Sequence, residues 1–328
     1  MTPPHRGALL QGARAHWLRE RTPQILIATL VVLLVAGPFL PKWAMFMLNV
    51  SLSWGTVVLG MMLLMRTGLV SFGQGLYYCL GAYAAGVLYA KLGVADIAVM
   101  LLASVAVSGA VAGVLGLLLA KYRDIFFAML SLAFSMILFG LLVKTSELGS
   151  TDGFGLSVAS LAGIPLTAGW ARYAVFATAV CVAFCSALGM QRYLSSHTGR
   201  LAGAIRDNEL RVEYMGASVR RVIHVNYVIS ASLAGLGGGL VGITIGHVDP
   251  EMAFWTTSGE FVFIAILSGT GSVLAPFLGA IVFETVRSFA YEYSPNTWQL
   301  VLGITMLLVI LFLPGGLWSV FTRWRKAA

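Results

Sequence analysis

Apolar residues run through this chain in long blocks separated by short polar joints. Ten such blocks lie near residues 24–41, 43–65, 68–91, 95–120, 125–147, 170–190, 223–246, 257–269, 273–290 and 297–314. About 20 apolar residues wound as an α-helix cover the hydrocarbon core of a bilayer. Lipid offers backbone groups no partner, so only helices or closed barrels cross it. The pattern predicts an all-α fold, a polytopic membrane helix bundle of about ten spans. It divides the chain into an N-terminal segment 1–23, a transmembrane domain 24–318 and a basic tail 319–328.

Two blocks are broken by glycine. One break is Arg66-Thr-Gly-Leu-Val-Ser-Phe-Gly-Gln-Gly75 and the other Ser268-Gly-Thr-Gly-Ser272. Each is followed by a Gly-Ala pair, Gly81-Ala82 and Gly279-Ala280. Glycine-broken segments in corresponding places suggest two weakly related halves and mark a transport path. Close helix packing through small residues accounts for the same pattern equally well.

Charge sets the orientation. The chain is 59% hydrophobic and 10% charged, with a formal net charge of +8. The bases gather at the ends of apolar blocks: Arg6, Arg14, Arg19 and Arg21, then Lys121 and Arg123, then 192–221, then Arg323, Arg325 and Lys326. This is the distribution that fixes topology in a bilayer, and it removes the need for a nucleic-acid partner. An even number of spans leaves both termini in the cytoplasm, with 121–124 and 191–222. Lys42, 149–169 and 247–254 fall outside. Residues 1–22 are polar and basic and give no cleavable signal, so the first span is expected to insert the chain.

The most informative stretch is Gly199–Tyr214, GRLAGAIRDNELRVEY, because it concentrates charge between two apolar blocks. Leu201, Ile205, Val212 and Met215 share one helical stripe. Asp207 and Arg211 are an i,i+4 pair in the favourable order, and Gly216 is a natural helix stop. An amphipathic helix with its charges in water is expected, either as a surface for a soluble partner or as a solvated linker.

Candidate chemistry elsewhere is sparse. Glu260, Glu284 and Arg287 are the charges inside apolar blocks, where such groups face the interior or pair. Glu284 and Arg287 are spaced to pair with each other. Glu260 is open to two readings, an acceptor for a ligand ammonium or a helix cap beside Ser258. Cys79, Cys181 and Cys185 lie in apolar blocks without further ligands and are expected to pack. The five histidines show no metal-ligand spacing and there is no G-x-x-x-x-G-K-S/T loop, so neither an enzyme nor an ATPase is expected. The loop 149–169 has Phe154, Leu156, Leu161 and Ile164 to bury and should be ordered.

Several motifs together carry a resemblance. They are Thr67-Gly-Leu-Val-Ser-Phe-Gly-Gln-Gly75 with Gly81-Ala-Tyr-Ala-Ala85, Phe127-Ala-Met-Leu-Ser-Leu-Ala-Phe134, Gly149-Ser-Thr-Asp-Gly153, and GRLAGAIRDNE with Ala217, Val228-Ile-Ser230 and Ala234-Gly235. Trp255-Thr-Thr-Ser-Gly-Glu260, Gly269-Thr-Gly-Ser272 and Phe312-Leu-Pro-Gly-Gly-Leu317 complete them. Over nearly the whole chain after residue 50, the pattern resembles LivM-type permeases of ABC importers for branched-chain amino acids. Gly203 stands where that family usually has a base, and Ser268-Gly269 where it often has Gly-Gly.

The resemblance implies a permease subunit in the bacterial inner membrane. It would act with a homologous second permease, two cytoplasmic ATPases that bind the ATP, and a periplasmic substrate-binding protein. No cofactor is expected in this chain. The coupling segment would be 191–222, with Arg200, Arg206, Asp207, Glu209 and Gly216 at the ATPases. Ser71, Gln74, Thr257, Glu260 and Gly269 are the candidate substrate path. The alternative is a stand-alone secondary transporter or channel for a small solute.

Overall fold

The computed structural model describes residues 24, 26–158, 160–165, 168–293, 297–313 and 315–319. The N-terminal segment 1–23 and residues 320–328 of the tail lie outside the described residues. Twelve helices are found among those described: α1 Leu26–Phe39, then α2 Lys42–Arg66, α3 Gln74–Leu92, α4 Ile97–Leu119, α5 Asp124–Lys144, α6 Ala168–Ser195, α7 His197–Asp207, α8 Glu209–Tyr214, α9 Val219–Ile245, α10 Trp255–Ser268, α11 Ala275–Tyr293 and α12 Trp298–Phe312.

Helices occupy every block read as a span. Five of them are long and apolar enough to cross a membrane: α2, α4, α5, α6 and α9. At 1.5 Å per residue α10 is about 21 Å long, short of a hydrocarbon core of about 30 Å. The all-helical membrane bundle therefore stands. Ten full-length crossings and a relation between two halves do not follow from it.

Lipid as the outer solvent inverts the usual helix pattern. In α4 the buried face is Met100, Ser104, Ser108, Ala112, Gly116 and Leu119, whereas Leu102, Val114 and Leu117 are exposed. α5 repeats this with Ser131 and Ser135 inside and Phe126, Met129 and Ile137 outside. Small polar residues turn inward because they let backbones approach and find carbonyls there. Ser104 Oγ donates to Gly81 O at 2.7 Å and Ser108 Oγ to Tyr77 O at 3.1 Å. Cys79 is buried as expected, but Cys181 and Cys185 are exposed on α6.

α9 is the central post, packed by α2, α3 and α4. Its glycines set the distances. A Cβ on Gly81 would overlap the carbonyl of Gly235, and one on Gly238 would overlap the carbonyl of Tyr78. On the α2 side, a Cβ on Gly60 would lie 2.6 Å from Ser230 O, and one on Gly237 2.6 Å from Ser53 O. A Cβ on Gly235 would lie 2.8 Å from Ser104 O of α4, so three helices meet α9 at backbone distance.

At one end of the bundle the loops form a cap. β1 (Phe154–Gly155) pairs antiparallel with β4 (His247–Val248), and β2 (Ser160–Leu161) with β3 (Ile164–Pro165). Asp96 fastens the cap. One carboxylate oxygen caps α4 through Ala98 N and Val99 N at 3.0 and 3.3 Å. The other accepts from Ser160 Oγ at 2.8 Å and Gly163 N at 2.7 Å. The Gly163 amide bond, foremost among these, holds the Asp96 carboxyl below its ordinary value. Leu156 is buried as expected, whereas Ile164 is 68% exposed at the hairpin tip.

In the segment 247–254, Pro250, Met252 and Ala253 turn into the bundle and are buried. Ser135 Oγ donates to Ala253 O at 2.8 Å, and Phe254 packs on Phe139 with ring centroids 5.0 Å apart. Apolar side chains and a donor for the carbonyl make this irregular backbone tolerable at membrane depth.

Two predictions follow from this packing. Gly238→Val should lower the unfolding midpoint of the purified chain by a cost of at least about 1–3 kcal/mol. Gly189→Ala, where nothing lies within 4 Å, should be neutral or stabilising by about 0.5–1 kcal/mol; equal effects of the two would refute backbone contact at α9. For Asp96, a lowered folded pKa means that its stabilisation is complete above the unfolded value of about 3.9 and is lost as pH falls through the folded one. Protease resistance of 149–165 should therefore persist from neutral pH to about 4.5 and fall below that, and Asp96→Asn should weaken it already at pH 7.

Candidate functional site

The segment 196–218 is built as two short helices, not one. Ser196 caps α7 by accepting from Gly199 N at 3.2 Å. Asn208 leaves helical geometry at φ −162°, ψ 103°, and its side chain caps α8 through Arg211 N at 2.9 Å. The side-chain competition that makes Asn a good cap breaks the continuous helix read from the sequence. Gly216 ends α8 at φ +84°, where an L side chain is strained, and Ser218 opens α9 by accepting from Arg221 N.

The break resets the apolar stripe. Gly199, Ala202, Ile205 and Val212 are buried against the bundle. Met215, expected on the same stripe, is 75% exposed, together with Leu210 and Tyr214 at 64% and 90%. The result is an apolar knob on α8, which helical periodicity over the whole segment conceals. Arg200, Arg206 and Asp207, on α7 ahead of it, are exposed.

Glu209 is committed within the chain. Arg123, in the turn between α4 and α5, donates from Nε to both carboxylate oxygens at 2.9 and 3.1 Å and from Nη2 to Oε1 at 2.6 Å. Its Nη1 donates to Ala120 O and Tyr122 O at 2.8 and 2.9 Å. All three guanidinium nitrogens are used, so the fork is rigid. Glu209 also stands at the first turn of α8, where a negative charge is favoured. Arg123 registers in the sequence only as a topology charge; nothing in the spacing links it to a residue 86 positions away. Gly68, in the joint after α2, borders the same segment, since a Cβ there would sit 3.5 Å from Cγ of Arg206.

The second candidate region is divided. Ser71 and Gln74 are buried. Ser71 Oγ accepts from Gly73 N, and Gln74 Nε2 donates to Ser230 Oγ at 2.8 Å. Thr257 Oγ1 donates to Glu251 O at 3.0 Å. The two stretches meet where Gly75 N donates to Ser258 Oγ at 3.0 Å, joining the start of α3 to the start of α10. Gly269 is a packing joint with φ +78°, where a Cβ would lie 2.5 Å from Gly315 O. Leu317 N donates to Leu267 O beside it at 2.7 Å.

Glu260 does not cap α10, whose N-cap Phe254 makes no side-chain bond. Instead it shares Arg287 with Glu284. Arg287 Nη1 lies 3.9 Å from Glu260 Oε2 and 3.6 Å from Glu284 Oε2. The guanidinium stacks 5.0 Å from the Trp54 ring and 5.7 Å from Trp298. Trp54 is at the centre of α2, so this cluster sits at mid-bundle. One cation faces two acids there, at distances too long for tight hydrogen bonds. Among the described residues no three His, Cys, Asp or Glu side chains are grouped to hold a metal.

The comparisons with known proteins agree with this architecture. Residues 44–310 match the family model for the permease component of branched-chain amino acid transport systems. The high-affinity branched-chain amino acid transport system permease protein LivM of Salmonella typhimurium is 26% identical, over 90% of this chain and 74% of the relative. BraD of Pseudomonas aeruginosa, a permease protein of the same kind of system, is 24% identical over 76% of this chain and 86% of its own. The permease protein LivH of Salmonella typhimurium is 27% identical over 37% of this chain and 40% of its own. No solved structure matches the chain. With its bundle of apolar helices and a family match over most of its length, this multi-pass membrane protein belongs to the family of permease components of branched-chain amino acid transport systems.

Proposed function

We propose that the chain is one permease subunit of an ATP-binding-cassette importer in the bacterial inner membrane. Its substrate is a branched-chain amino acid or a related small amphipathic solute. A homologous permease completes the pathway, as similarity to both LivM and LivH relatives suggests. Two ATPases bind the ATP and dock on the 196–218 segment, and a periplasmic binding protein delivers substrate at the opposite cap. Both termini are cytoplasmic, in keeping with the basic ends of the chain.

The observation that carries this reading is the α7–α8 segment. It leaves Leu210, Tyr214 and Met215 exposed, interleaved in sequence with the exposed charges Arg211 and Glu213. An exposed apolar cluster rimmed by polar residues marks a protein interface. A short helix with an apolar anchor suits insertion into a groove on a soluble partner. The segment is also fixed to the bundle through Arg123 and Glu209, so a displaced ATPase would move α4, α5 and α9 with it. At mid-bundle the Glu260–Arg287–Glu284 cluster has the charges to meet the ammonium of an amino acid, with its excess of acid over base. The chemistry asked of the chain is a change of state driven by differential contact, not catalysis.

The test is Leu210→Ser with Tyr214→Ser in the reconstituted complex. Both side chains are exposed, so the unfolding midpoint should hold. Losing two buried anchors at about 1.5–3 kcal/mol each should weaken ATPase association on the order of a hundredfold or more, with a parallel fall in ATP-driven uptake. Wild-type association and uptake would show that α8 is not the docking surface. Robust uptake by the lone chain without ATP would establish a stand-alone transporter instead.

A further inference from the structure

A cavity of about 260 Å³ lies between the end of α4 and the start of α9, at the bundle end that carries the α7–α8 segment. Its lining is Leu117, Ala120, Ser218, Arg220, Arg221 and His224. Three features mark it for an anion. Arg220 and Arg221 are exposed, and among the described residues neither pairs with a carboxylate. Arg220 is positioned by a bond from Nη2 to Leu117 O at 3.0 Å. The His224 ring also lines the cavity, with Nδ1 packed on Gly116 and the rest of the ring available to the site. The head of α9 at Ser218 adds the partial positive charge of a helix N-terminus.

The other half of the lining is apolar. Leu117 is 58% exposed, and Val114, one turn earlier on α4, is 70% exposed. An anion hole at the membrane boundary that opens onto an apolar stripe has the shape of a phospholipid, a charged head with acyl chains beside it. Basic recesses between transmembrane helices on the cytoplasmic side bind such heads. We infer that this cavity holds the phosphate of an anionic phospholipid, gripped by Arg220, Arg221 and His224, with its chains along Val114 and Leu117. The ligand chemistry is a phosphate oxyanion, and lipid is favoured over a free phosphate because the apolar stripe continues the cavity.

The inference is tested on the transporter complex purified in mild detergent and incubated with equal phosphatidylglycerol and phosphatidylcholine. Retained lipid is counted by native mass spectrometry. The wild type should keep phosphatidylglycerol with a preference of about tenfold or more, from two arginines at the headgroup level. Arg220→Gln with Arg221→Gln should abolish that preference, and His224→Ala should reduce it. Arg192→Gln with Arg211→Gln removes the same charge from outside the cavity and should leave it intact. Undiminished preference in the Arg220/Arg221 variant would overturn the site. So would displacement of the lipid by millimolar inorganic phosphate, which would make it a small-anion site. Loss of the ATPases from that variant with lipid retention unchanged would make the arginines a docking contact, and would equally overturn it.

Discussion

Backbone contact between α9 and its neighbours is the constraint on which the rest depends. Where Gly81 faces Gly235 and Gly238 faces Tyr78, no atom larger than hydrogen fits between two main chains. In lipid there is no hydrophobic drive to bring helices together, so association comes from close packing and from polar contacts. The chain uses both at the same place, since Ser104 and Ser108 reach across to α3 carbonyls within the same layer. Such a core is stiff. α2, α3, α4 and α9 are therefore expected to move as one body, with rearrangement confined to joints where the packing is interrupted.

Those joints are identifiable. One is 67–73, between α2 and α3; another is 269–274, between α10 and α11. They are tied together by Arg66, which donates from Nε and Nη2 to Thr270 O at 3.1 and 2.6 Å. The first joint borders α7 at Gly68 and reaches α10 through Gly75 and Ser258. A contiguous set of contacts thus runs from the ATPase-docking segment proposed here to the acidic cluster at mid-bundle. Arg123 and Glu209 form a second tie, from α8 to the turn between α4 and α5. Hydrogen bonds to charged groups contribute about 1.5–3 kcal/mol, while a freely exposed ion pair gives about 0–1. With side chains 29% and 34% exposed, the pair falls between, and its fully occupied guanidinium favours the upper part.

Much of this was legible in the sequence because membrane helices obey a coarse rule of length and apolarity. The block boundaries match α2, α4 and α9 within a few residues, and Gly216 ends its helix as read. What escaped is long-range or local at one residue. Asn208 splits a helix that periodicity joins, and so turns Met215 outward. Glu209 looked free because Arg123 is distant in sequence. Glu260 offered a cap reading because α11 brings Arg287 to it only in three dimensions. The sequence does not show that Ser71 and Gln74 are buried, or that Gly269 packs on the main chain at Gly315, because those contacts are long-range.

The central claim is that the docking segment needs the Arg123–Glu209 ion pair to act on the bundle. A double-mutant cycle on Arg123→Ala and Glu209→Ala tests it, read as ATP-driven uptake by reconstituted complexes whose assembly is confirmed by co-purification. If the pair is the link, each single variant loses uptake and the double variant is no worse than either. Losses that simply add would show that the two side chains act independently, and the account of coupling would fail.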